Sequence, residues 1–116
     1  MRILIADDEA ATRDFLKVAL QGDGHDIVMA QDGAAAWSLV SSDTSINIVL
    51  SDISMPEMDG VVLAGKILDA GLGVRVILMS GLDSEIARVD DLKSRGVTTL
   101  LKPFSLEQVR TIVGTA

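Results

Sequence analysis

Five side chains in this sequence have the chemistry of a phosphate site: the adjacent carboxylates Asp7 and Asp8, the lone carboxylate Asp52, the hydroxyl of Ser80 and the ammonium of Lys102. Three carboxylates drawn together repel one another, each pair ~4 Å apart costing on the order of 4 kcal/mol at an effective dielectric of ~20. Something positive must offset that. Lys102 supplies one charge, and the all-oxygen character of the group points to a hard divalent cation, Mg²⁺ before others, because it keeps several waters and needs few carboxylates. A carboxylate beside Mg²⁺, a lysine and a hydroxyl is the equipment for phosphoryl transfer onto an aspartate, where positioning and charge neutralisation do most of the catalysis. Asp52 is then the expected nucleophile. Asp8 would hold the metal directly together with Asp52, and Asp7 would act through a metal-bound water or by fixing Asp8. Lys102 and the Ser80 hydroxyl would meet the phosphoryl oxygens, with the backbone N–H groups of Ser54 and Gly81 as candidate further donors.

These residues meet only if particular elements carry them. Each one ends an apolar run that reads as a strand: Arg2 to Ala6 before Asp7, Ile46 to Leu50 before Asp52, Val74 to Met79 before Ser80, and Thr98 to Leu101 before Lys102. Ile27 to Ala30 is a further strand. Between the strands lie helical patterns: Ala10 to Leu20 with Ala11, Phe15, Ala19 and Leu20 on one face, Asp32 and Gly33 through Val40 with Ala36, Trp37 and Val40 inward, and Val61 to Leu68. Glu85 to Arg95 follows, with Ile86, Val89 and Leu92 at core spacing. The last helix opens on a Ser105–Gln108 capping box and turns Leu106, Val109, Ile112 and Val113 inward. Five strands alternating with five helices predict an α/β fold, a doubly wound parallel sheet with right-handed crossovers. In a parallel sheet the four strand ends share one edge, which is where open α/β sheets bind ligands.

The composition agrees with this reading. The chain's 116 residues hold one domain, residues 1–116, and 48% hydrophobic content is ample for its core. With three aromatic residues that core is aliphatic, as parallel sheets commonly are. A net charge of −7 argues against nucleic acid or an anionic membrane as partner, since phosphate surfaces demand a basic footprint. No cysteine is present, which excludes thiolate chemistry and suits a reducing compartment, the cytoplasm by default. Neither an export signal nor a membrane-spanning run is apparent. Taken singly the key residues are ordinary: Asp7, Asp8 and Glu9 resemble an acidic first helical turn, Ser80 a cap and Lys102 a solvated strand end. Together and in this order they are not. His25, the single histidine, falls between the first helix and the second strand, away from that edge. Met55 and Met58 shape the loop at Pro56, and Glu57 and Asp59 read as solvated carboxylates.

The whole chain resembles the receiver domains of two-component response regulators, the stand-alone chemotaxis-type receivers being the simplest. ILIADDE, DISMPEMDG, ILMSG and LLKPF carry the likeness. The resemblance implies a flavodoxin-like sheet of order 2-1-3-4-5, Asp7 and Asp8 as the acidic pair, Asp52 as phosphoacceptor, Ser80 as the hydroxyl and Lys102 as the lysine. It also implies the Ser54 carbonyl as a metal ligand and a cis bond between Lys102 and Pro103. The function implied is a switch that takes a phosphoryl group from a histidine kinase or histidine phosphotransfer protein, hydrolyses it slowly and signals by contact with a downstream protein. No output domain and no enzymatic activity beyond this self-catalysed cycle are expected, and the chain would be a monomer or a weak dimer through helix 4, strand 5 and helix 5. Two departures stand out. Receivers usually place Tyr or Phe three residues before the lysine, where this chain has Thr99, and the stretch from Gly96 to Lys102 is one residue shorter than usual.

A haloacid-dehalogenase-type phosphohydrolase uses a similar Asp, Mg²⁺, hydroxyl and Lys set, but places its nucleophile after the first strand in an Asp-x-Asp arrangement and adds a cap. Here the acidic pair is adjacent and the lone aspartate follows strand three. A constitutive pseudo-receiver would not need the intact acids, Ser80 and Lys102. A flavin mononucleotide binder would need hydroxyls where the first loop has carboxylates.

Overall fold

A computed structural model of the chain describes residues 1–81 and 88–114. In order, these residues form β1 (Arg2–Ala6), α1 (Ala10–Gly22), β2 (Asp26–Ala30), α2 (Gly33–Ser42), β3 (Ile48–Asp52), α3 (Gly60–Asp69), β4 (Arg75–Ser80), α4 (Asp90–Lys93), β5 (Thr98–Leu101) and α5 (Leu106–Gly114). All strand pairs are parallel and the sheet order is β2-β1-β3-β4-β5. Successive side chains of a strand point to opposite faces, so the sheet carries two apolar layers. Leu4, Val49, Val76 and Leu78 face Ala36, Val40, Leu63, Ile67 and Leu92. Ile5, Leu50, Ile77 and Met79 face Leu16, Leu20, Val109 and Val113 on the other side. The central strands are covered on both faces, which is why they read as unbroken apolar runs rather than as alternating ones.

Local chemistry sets three helix starts. Asp32 and Asp59 cap α2 and α3, their carboxylates accepting from the N–H groups of Ala35 at 2.7 Å and Val62 at 2.9 Å. The capping box is present in both directions, Gln108 N donating to Ser105 Oγ at 3.1 Å and Ser105 N to Gln108 Oε1 at 2.8 Å.

Several expectations need correcting. In α1 the inner face is Leu16, Ala19 and Leu20, while Ala11 is exposed and Phe15 is 42% exposed. Phe15 turns instead toward Phe104, ring centroids 6.4 Å apart. Ala19 and Leu20 are buried as expected, and the inner face runs through Leu16 rather than Phe15 and Ala11. β3 begins at Ile48, not Ile46; Ile46 is buried ahead of the strand, and Asn47 exchanges hydrogen bonds with Arg2 there. The fourth helix is the single turn Asp90–Lys93 among the described residues, with Val89 and Leu92 buried as expected; Glu85 and Ile86 lie outside the described residues. Leu106, the first residue of α5, is 37% exposed rather than inward, and Ile112 is only partly buried. Trp37 is half-buried against the core with the Lys66 ammonium 5.3 Å from its ring.

Glycine decides one junction. A Cβ on Gly60 would lie 2.2 Å from the Asp52 carbonyl oxygen and 2.9 Å from Ile53 Cα, both backbone atoms that cannot yield without moving β3. Gly65 in α3 meets nothing within 4 Å. Gly60→Ala is therefore expected to destabilise the domain by about 1–3 kcal/mol through overpacking, whereas Gly65→Ala should stabilise it by up to about 1 kcal/mol by lowering chain entropy in the unfolded state. Urea unfolding midpoints of the two variants should move in opposite directions.

Candidate functional site

The backbone is locked to the sheet up to the edge where the candidate residues sit. Asp7 N donates to Ala30 O at 3.2 Å, Ile53 N to Met79 O at 3.0 Å and Lys102 N to Ser80 O at 2.8 Å, extending the ladder one residue past the strands. Those bonds fix where each side chain leaves. Asp7 follows β1, Asp52 and Ser80 end β3 and β4, and Lys102 follows β5. Asp7 is fully buried, Asp52 is 6% and Ser80 2% exposed, and Asp8 is exposed. The carboxylates of Asp7, Asp8 and Asp52 each offer an oxygen, all within 4.8 Å of one another. Lys102 Nζ reaches Asp52 Oδ2 at 3.3 Å and Asp7 Oδ2 at 3.4 Å. Lys102–Pro103 is cis.

The electrostatics follow from burial. Desolvation is the main cause that lifts the Asp52 carboxyl above its ordinary 3.8; Asp7 adds to the lift and Lys102 opposes it. Burial of the Lys102 ammonium works against its charge, but Asp52 and Asp7 outweigh it and its pKa is raised. Because the folded state binds the Asp52 proton more tightly than the unfolded one, the stability that this group contributes to the metal-free domain falls as pH rises from about 3.8 through the raised value. Asp52→Asn removes that loss. In chelator the variant should be more stable than the parent at neutral pH, and the gap should close near pH 4; denaturant midpoints at the two pH values measure it, and a less stable variant at neutral pH would count against the burial effect.

Some participants escaped the sequence reading. Arg13 Nη1 donates to the Asp7 carbonyl at 2.6 Å, and Glu9 N donates to Asp7 Oδ1 at 2.9 Å, so the first acidic residue is held from both sides. Arg88 Nη2 donates to Asp59 Oδ2 at 2.7 Å. Asp59, expected to be solvated, is therefore half-buried and engaged; burial raises its pKa, but the Arg88 hydrogen bond and the α3 amides bring it below its ordinary value. An arginine 29 residues away carries no local signal that it will meet this carboxylate. Ser54 lines the same cavity as Asp8. Glu57 takes φ 68° in the turn beside it. Thr99 is half-buried on β5, in register with Leu78. His25 lies at the opposite end of the sheet, its Nδ1 3.3 Å from the Met1 amino group.

Residues 3–114 match the family described as the response regulator receiver domain. The chain belongs to that family. Among curated proteins this receiver domain is similar to the response regulator MprA of Mycolicibacterium vanbaalenii, 34% identical over 109 residues that cover 94% of this chain and 47% of that protein. It thus spans about half the length of the curated relatives it matches. Among solved structures it resembles the receiver domain of the Francisella response regulator 1452, with a TM-score of 0.86, 31% identity and coverage of 97% of this chain and 92% of that one. It also resembles the response regulator TrrA of Thermotoga maritima, solved in complex with Mg²⁺-BeF, with a TM-score of 0.85, 30% identity and coverage of 97% and 95%. Receiver domains of this family are signalling modules of two-component systems. Among the described residues no helix is long and apolar enough to cross a membrane.

Proposed function

We propose that this receiver domain is a phosphoacceptor switch in which Asp52 receives a phosphoryl group from a histidine kinase or a histidine phosphotransfer protein in the cytoplasm. The observation that carries the reading is the convergence of three carboxylates within 4.8 Å on a lysine that touches two of them. That donor set fits a hard divalent cation: the oxygens are anionic, one is fully buried, and Asp8 is open to solvent where waters can complete the coordination. Asp8, Asp52 and the Ser54 carbonyl would hold Mg²⁺ directly, with Asp7 acting through a water. When bound, the cation neutralises charge on the transferring phosphoryl oxygens.

The remaining work belongs to the chain. A carboxylate oxygen of Asp52 forms a bond to phosphorus as the bond from phosphorus to the donor's imidazole nitrogen breaks, and the electron pair leaves with the imidazole, giving an acyl phosphate on Asp52. Lys102, now drawn by Asp7 and Asp52, pairs with a phosphoryl oxygen, and the Ser80 hydroxyl donates to another. Slow attack of water on phosphorus later releases inorganic phosphate and restores the Asp52 carboxylate. The domain is not otherwise an enzyme in this reading.

The signal leaves by phosphorylation-dependent contact with a downstream protein, residues 1–116 acting as one receiver unit. The exposed apolar side chains Leu101 and Leu106 support the α4-β5-α5 side as the contact or weak-dimer surface. Thr99 lacks the bulk to report the state of Ser80 as an aromatic residue would. Base-labile labelling by acetyl phosphate or phosphoramidate in the presence of Mg²⁺, compared between the parent and Asp52→Asn, tests the assignment.

A further inference from the structure

Asp8, the exposed member of the acidic cluster, lines a cavity of about 520 Å³ together with Ser54, Asp59 and Arg88. Lys102 borders a different groove. The cavity lining includes an ion pair: Arg88 Nη2 to Asp59 Oδ2 at 2.7 Å, with side-chain exposures of 50% and 28%. Asp59 cannot swing away freely, because its other oxygen caps α3 through Val62 N at 2.9 Å. A dication entering beside Asp8 therefore meets one more carboxylate, held by the α3 cap, and one more guanidinium, paired to that carboxylate. Their fields on it are opposite.

We propose that the Arg88–Asp59 pair sets the divalent-cation affinity of the Asp7, Asp8 and Asp52 pocket, Asp59 strengthening the field that draws the cation in and Arg88 opposing it. The inference rests on the reading of that pocket as a cation-dependent phosphoacceptor site. It assigns Arg88 and Asp59 as positioning residues that act through charge and do not touch the phosphoryl group. A unit charge ~10 Å from a dication in a water-like dielectric changes its binding about fourfold before screening. The Debye length is ~30 Å at ~0.01 M salt and ~3 Å at ~1 M, so the effect should be large in the first and absent in the second.

Calorimetric Mg²⁺ titration of the full chain tests this. At ~0.01 M salt, Arg88→Gln should bind Mg²⁺ about threefold more tightly than the parent and Asp59→Asn about threefold more weakly. The double variant should return close to the parent, as should Arg88→Lys, which keeps the charge. Asn is as good a helix cap as Asp, so Asp59→Asn keeps the α3 start. A merely structural pair predicts something else: both variants would lose affinity and stability together, at high salt as well as low, and that pattern overturns the proposal. So does an unchanged affinity in both. Asp8→Asn separates the two levels: if the parent's Mg²⁺ binding survives it, the phosphoacceptor reading of the pocket fails along with this inference; if binding depends on Asp8 but ignores Arg88 and Asp59, this inference alone fails.

Discussion

Incubated with acetyl phosphate and Mg²⁺, the parent chain should acquire one base-labile phosphoryl group and the Asp52→Asn variant none. Asn is nearly isosteric, so the strand end and its neighbours keep their places, while the anionic oxygen that must bond to phosphorus is gone. Asp7 is no substitute: it is fully buried, its Oδ1 accepts from Glu9 N and its Oδ2 lies 3.4 Å from the Lys102 ammonium. Asp8 is exposed and is better placed as a ligand than as a nucleophile, since it lies beyond the strand beside the solvent that completes a hard cation's coordination. Intact mass before and after mild base resolves the outcome. Equal labelling of the Asn variant would remove Asp52 from its assigned role.

Lys102→Ala should have the next largest effect, and on two observables. Nζ stands 3.3 Å from Asp52 and 3.4 Å from Asp7, with the lysine side chain 23% exposed and the two carboxylates nearly buried. Deleting one partner of a buried ionic group leaves the others uncompensated, which costs about 3–5 kcal/mol when burial is complete and less for a partly exposed lysine. A loss of about 2–3 kcal/mol is expected for the metal-free domain, which corresponds to a fall in Tm on the order of 10 °C. Mg²⁺ should restore more stability to the variant than to the parent, because a dication between the carboxylates replaces the missing charge. Labelling by acetyl phosphate should slow by about 10²-fold or more, the usual consequence of losing one aligned electrostatic donor. Any phosphoprotein that does form should bind its partners as the unphosphorylated form does, since no ammonium follows the phosphoryl oxygens. Melting curves in chelator and in Mg²⁺ check the first half; a variant as stable as the parent in chelator would mean that Lys102 does not balance the acids.

The two halves of the site differ in how they could be read. Asp52 was visible because it ends a run of apolar residues long enough to be a strand buried on both faces, and a charge at such an end has one place to go. Ser80 was visible for the same reason, and Lys102 because it ends the short run Thr98 to Leu101 ahead of Pro103. The Ser105–Gln108 box and the Asp32 helix start were legible because their partners lie three residues away. Phe15 was misplaced because helical periodicity fixes which residues share a face but not which of two adjacent faces meets the sheet; packing of Leu16 under β1 and β3 settled that.

By itself, then, the order of residues determined the alternation of strands and helices, the strand ends at which Asp7, Asp52, Ser80 and Lys102 emerge, and the charge imbalance that calls for a cation. These depend on local period and on the short reach of backbone hydrogen bonds. Only the tertiary structure decided what meets across long separations. It brought Arg88 to Asp59, 29 residues away in the chain, beside the cavity that Asp8 lines. Side-chain pairing between distant elements is set by how helices seat on the sheet, and no periodicity in the chain encodes that seat.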